Sequence, residues 1–115
     1  MKKLLMLALL ALAPMALAQH SVTLSWQPGT TGTTPTGYNV KRATVAGGPY
    51  TTIGSTTTVL TFTDASTTVQ VEGSKWFYVI TATANGAESG PSNEVSAIIP
   101  FSPPSPPSLA PPVVK

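Results

Sequence analysis

Residues 19–99 predict an all-β chain folded as an antiparallel sandwich, on three observations. Short runs alternate apolar with polar residues, so each offers one face to a core. Clusters of Gly, Pro, Asn and Ser part these runs at intervals of about ten residues, and no segment sustains a helical period. The chain of 115 residues, with 9% charged and no Cys, has room for one small domain. Without disulfides, a hydrophobic core must hold it together.

The first element is not part of that domain. Lys2 and Lys3, the apolar run Leu4 to Ala13, the break at Pro14 and the small residues Ala16 and Ala18 follow the order of a signal peptide. Residues 1–18 are therefore expected to be removed after Ala18, which makes the protein secreted, periplasmic or attached at the cell surface. Leu4 to Ala18 falls short of the roughly 20 apolar residues that span a bilayer, so no membrane contact is expected after cleavage. Residues 19–115 then carry Lys41, Arg42, Lys75 and Lys115 against Asp64, Glu72, Glu88 and Glu94, a net charge of zero. No basic cluster is left to release counterions from nucleic acid, and none is expected to bind.

Within residues 19–99, Val22, Leu24 and Trp26 alternate with Thr23 and Ser25. Tyr38, Val40 and Arg42 alternate with Asn39 and Lys41, and Leu60 and Phe62 with Thr61 and Thr63. Trp76, Tyr78, Ile80 and Ala82 form the next inward series. Val95, Ala97 and Ile99 follow the turns at Asn85-Gly86 and Ser89-Gly90-Pro91. The core expected from these series is Trp26, Tyr38, Leu60, Phe62, Tyr78 and Ile80. Residues 100–115 hold seven Pro and form a Pro-rich tail, whose Pro-Pro-Ser units favour an extended polyproline II arm of up to about 50 Å.

Five segments resemble bacterial fibronectin type III domains in order and spacing. They are Ser21 to Trp26, Gly37 to Arg42, Phe62-Thr63-Asp64, Trp76 to Ala82 and Gly90 to Ala97. The resemblance covers about residues 20 to 99 and implies a seven-stranded immunoglobulin-like sandwich without catalysis of its own. In that family such modules act as spacers, adhesion domains or accessory units. Two departures stand out. Trp76 takes the place of the Tyr that usually caps the strand-F corner. The family's first strand is missing, since Val22 to Ser25 match its second.

The missing strand leaves Val22, Thr23, Leu24 and Ser25 as an open edge, where a strand from a protein partner or from a second copy is expected to pair. On the outer face of the larger sheet, Lys41, Phe77, Val79 and Ile98 gather into an apolar patch, a candidate binding face that a partner or Phe101 of the tail would cover. Carbohydrate is a further candidate ligand, with Phe77 and Tyr50 as the aromatics on offer. Chemistry has little material here. The lone His20 lacks the second His that a copper site needs. Asp64 has no second carboxylate near it in sequence and reads as a turn residue accepting local backbone N–H bonds. Glu72, Glu88 and Glu94 read as solvated charges without calcium-loop spacing. Gln27 to Thr36, Ser55 to Thr57 and Asn85 to Pro91 should meet at one pole, and they carry no aromatic or Arg to concentrate binding energy. No enzyme activity, metal or cofactor is expected. The sequence points to a secreted structural or protein-binding module, with a carbohydrate-associated accessory to a separate hydrolase as the alternative.

Overall fold

The computed structural model describes residues 20–115. The expected signal peptide and cleavage point lie outside the described residues. Seven strands follow in order: β1 Val22–Ser25, β2 Gly37–Ala43, β3 Thr51–Thr56, β4 Thr61–Asp64, β5 Lys75–Ala84, β6 Ala87–Glu88 and β7 Val95–Ile98, with one 3-10 turn at Thr67–Gln70. All pairings are antiparallel. β1 and β4 form a two-stranded sheet, and β3, β2 and β5 run side by side in the other, with β6 and β7 both on the far edge of β5.

β6 and β7 are one edge interrupted at Gly90-Pro91, where Pro has no N–H to give. Serine hydroxyls bridge the gap. Ser89 Oγ accepts the Ala82 N–H at 2.8 Å and Ser92 Oγ the Ile80 N–H at 2.9 Å, while the two serine N–H groups donate to the carbonyls of Ala82 and Ile80. The β5 backbone is thus satisfied across a stretch with no regular partner strand.

Tyr38, Val40, Val69 and Tyr78 are buried between the sheets, and the rings of Trp26 and Tyr38 meet edge to face at 5.6 Å. Four residues expected in the core, Trp26, Leu60, Phe62 and Ile80, are only half-buried. A sheet of two strands cannot cover the inner face of a larger one, so the core thins along the β1 flank. β3 is absent from the alternation reading, because Thr51 to Thr56 contain one large apolar side chain, Ile53. Its end at Thr56 also places Ser55 and Thr56 in a strand rather than in a loop.

The ends of the domain come together. Gln70 stands in for a strand beyond β4, its side-chain amide accepting the His20 N–H at 2.7 Å and donating to the His20 carbonyl at 2.6 Å. A few residues on, Gly73 N–H donates to the Ile99 carbonyl and Ile99 N–H to the Ser74 carbonyl, each at 2.8 Å. Chain therefore enters β1 and leaves β7 at one pole, both fastened to the segment between Thr67 and Ser74.

Candidate binding flank

The sandwich is joined across its interior by a polar hub around Asp64. Its Oδ2 accepts from Arg42 Nη1 at 2.7 Å and from the Tyr78 hydroxyl at 2.8 Å, and its Oδ1 from the Ser66 N–H and hydroxyl at 3.2 and 2.7 Å. The local N–H bond is the one expected of a turn residue. The rest was not legible, because it depends on which side chains the other sheet presents. Asp64 is 3% exposed. Burial pushes its pKa up, but the hydrogen bonds from Ser66, Arg42 and Tyr78 outweigh that and hold the carboxyl below its ordinary value. Burial and Asp64 together push the Tyr78 phenol well above its own. Arg42 also lies over the Trp76 ring, 4.8 Å from its centroid, while the Trp76 indole donates to Ser74 Oγ at 2.9 Å. The hub therefore locks charge in place rather than poising it for proton transfer.

The outer face of the larger sheet is not the open patch that the sequence suggests. Val79 is 3% and Ala43 5% exposed. The cover is the turn between β2 and β3. Glu94 precedes Ser96 and Ile98 in the outward series of β7, and its carboxylate accepts from the Gly47 N–H at 2.8 Å and from the Tyr50 hydroxyl. The Gly47–Tyr50 corner thus crosses the face beside Val79. On one side of it Lys41 turns to Glu88, which Asn39 and Thr81 also approach at 2.7 Å. These hydrogen bonds, from Asn39, Thr81 and Lys41, hold the Glu88 carboxyl down at about 2. On the other side the Lys75 ammonium lies 5.3 Å over the Phe77 ring. Of the four residues of the candidate face, Ile98 alone is well exposed. Phe101 does not serve as the cover, since its ring rests against Gly73 and is 75% exposed.

The β1 flank is open. Trp26 N–H donates to the Leu60 carbonyl at 3.1 Å. With the β1–β4 register, this turns the backbone groups of Val22 and Leu24 toward β4 and those of Thr23 and Ser25 outward. Among the described residues no strand pairs with that side. Beside it runs a groove of about 290 Å³ between the sheets, lined by Leu24, Trp26, Ile80, Ser92, Asn93 and Val95 among others. Val95, placed by its alternation among the inward-facing residues, is 45% exposed and lines this groove. The indole N–H of Trp26 is buried and has no acceptor among the described residues.

At the pole away from the chain ends, Gly29 to Pro35 meet Ala82 to Ser89 around a cleft of about 360 Å³. These are two of the three loops expected to gather there. At the other pole His20 Nε2 lies 3.9 Å from Glu72. The neighbouring Ser102, and after it His20, hold the Glu72 carboxyl below its ordinary value. Among the described residues no three His, Asp or Glu cluster as metal ligands would, and no helix is long and apolar enough to cross a membrane.

The fold has solved counterparts. The chain is 36% identical to a Fn3-like protein from Clostridium thermocellum, with a TM-score of 0.58 over 70% of this chain and 78% of that one. The fourth FNIII domain of a human protein shares the fold with a TM-score of 0.61 and 21% identity, covering 80% of this chain and 77% of that one. The twitchin kinase region from C. elegans matches at 0.60 and 20% identity over 74% of this chain and 15% of that one. Among curated proteins, an amylopullulanase from Thermoanaerobacter thermohydrosulfuricus is 48% identical over 61 residues, 52% of this chain. The chain spans 4% of that protein's length. No protein-family model matches the chain.

Proposed function

The chain belongs to the fibronectin type III-like family, and from that premise we propose that it is an exported, non-catalytic protein-binding module that takes an extended segment of a partner along its β1 flank. The observation that carries this is the pairing of a free strand edge at Thr23 and Ser25 with an apolar groove between the sheets. Backbone groups there offer a ladder, and the groove offers pockets for alternate side chains. Entry and exit of the chain at one pole favour a pendant module over a link in a rod, because a rod needs its ends at opposite poles. The test is amide hydrogen exchange on the purified exported protein. Thr23 and Ser25 are expected to exchange fast in a strictly monomeric sample and to slow when a partner is bound. Protection in the monomer itself would show the edge covered within the chain and overturn the proposal.

A second reading has its own support. The likeness to a segment of an amylopullulanase suggests that the partner is a glycoside hydrolase acting on α-glucan. Direct sugar contact is the weaker form of this idea. Tyr50 is tied to Glu94, and Phe77 lies under Lys75, so neither presents a free aromatic face. Retention of the protein on pullulan only in the presence of such an enzyme is the expected result. Equal retention without the enzyme would mean that the module binds glucan directly.

A further inference from the structure

We infer that the groove beside β1 receives the Pro-rich arm of a second copy of this chain, an inference that rests on the reading of that flank as a site for an extended segment. Three features of the groove point to such an occupant. Its lining carries no Lys, Arg, Asp or Glu, so an uncharged segment loses no ion hydration on entering. A second cleft of about 230 Å³ shares Trp26, Gln27, Ile80 and Ser92 with it and continues past Tyr38 and Pro91, making an elongated trough centred on Trp26. The Trp26 indole N–H is buried with no hydrogen-bond partner among the described residues, and a turn of its ring toward the trough would present it to a carbonyl. A polyproline II segment has regularly spaced carbonyls with no internal partners and little conformational freedom left to lose.

The chain carries such a segment. From Pro100 onward no strand, helix or turn forms, and every residue from Pro103 to Lys115 is exposed. Leu109, Val113 and Val114 stand 97, 81 and 89% exposed near its tip, and no charge precedes Lys115. An uncharged apolar arm and an uncharged trough thus sit on one molecule. The arm leaves from the pole of Gly73 and Gln70, where β1 begins, while Trp26 lies just beyond the other end of β1. The arm therefore departs from the end of the domain opposite Trp26, which favours the trough of a second copy over its own. The contact is heterologous, with arm and trough on different surfaces, so it propagates head to tail.

Sedimentation velocity of the full chain over a range of concentrations tests this, with two variants. Trp26→Phe keeps an aromatic ring but removes the N–H. The double variant V113D/V114D alters only the arm, far from the core. Mass is expected to rise with concentration, and each variant to weaken association by about tenfold, the scale of one well-placed interaction. A synthetic peptide of residues 100–115 should compete and should shift the Trp26 indole N–H resonance. A monomer at every concentration, with that resonance unmoved by the peptide, overturns the inference. So does a shift that is present in the free protein and independent of concentration, which would place the arm in its own trough. If a Pro-free alternating peptide protects Thr23 and Ser25 while the 100–115 peptide does not bind, the arm is ruled out and the flank reading survives.

Discussion

The hydroxyl of Tyr78 on β5 donates to the carboxylate of Asp64 on β4 at 2.8 Å, a bond that crosses from one sheet to the other. Arg42 on β2 meets the same carboxylate oxygen, so three strands from both layers converge on a single side chain. In a sandwich whose smaller sheet has only two strands, this hub substitutes for part of the missing apolar contact.

Removing the carboxylate should cost more than removing either neutral partner. Asp64→Ala leaves Arg42 without its counter-charge, and a loss of about 3 kcal/mol is expected, at the low end for a broken buried pair because Arg42 keeps some solvent. Tyr78→Phe deletes one hydrogen bond to a charged group and should cost about 1.5–3 kcal/mol. Urea unfolding of both variants, with equal m-values, checks the order.

Acid should destabilise the fold through the same residue. The folded Asp64 pKa lies below its unfolded value, so its contribution is full above the ordinary carboxylate range and is lost as pH falls through the lowered folded value. Melting temperatures measured from about pH 6 down to about pH 2, past the ordinary carboxylate range, should fall for the parent protein. They should fall less steeply for Asp64→Asn. Parallel curves would show that another group carries the acid transition.

Glu88 offers a site-specific titration. Its carboxyl resonance should move with a midpoint at about 2, and Asn39→Ala should raise that midpoint, since the Asn39 amide is the foremost cause of the depression. An unshifted midpoint in the variant would mean that Thr81 and Lys41 suffice.

Glu94 holds the corner that covers the outer face. Glu94→Ala frees Gly47 and Tyr50 and should expose Val79 and Phe77, seen as a rise in hydrophobic-dye fluorescence with little change in melting temperature. Unchanged dye binding would mean that the corner keeps its place without the carboxylate.

Gly54 tests packing under β3. A Cβ there would come within 2.4 Å of the Phe62 ring, so Gly54→Ala forces that ring out of place at a cost of about 1–3 kcal/mol. A variant as stable as the parent would show that Phe62 yields freely toward the open flank.

Strand alternation at Tyr38–Arg42, Leu60–Phe62 and Trp76–Ala82 is a local signal, and the structure has strands at all three places. The β3 strand escaped it because its residues are mostly Thr, Ser and Gly, and at Gly54 the Phe62 ring fills the space a side chain would take. The outer face was misjudged for a similar reason. Its residues were legible, but the turn that lies over them is held by Glu94, a residue 44 positions from Tyr50. The groove beside β1 is not legible in the sequence, because a groove belongs to two sheets and to neither strand.

What the sequence determined by itself is the set of local choices: which runs are extended, where turns fall and which face of each strand is apolar. Backbone sterics and a period of two settle these within a few residues. What the tertiary structure alone decided is which side chains share an interior. Asp64 reads locally as a turn residue and becomes the hub of the core only when folding brings Arg42 and Tyr78 to its Oδ2, opposite the Ser66 that its Oδ1 already holds. Trp26 reads as a core anchor and becomes the wall of an open trough because the sheet it adjoins has two strands among the described residues. Pairings over such separations follow from how the layers stack, and no window of sequence contains that information.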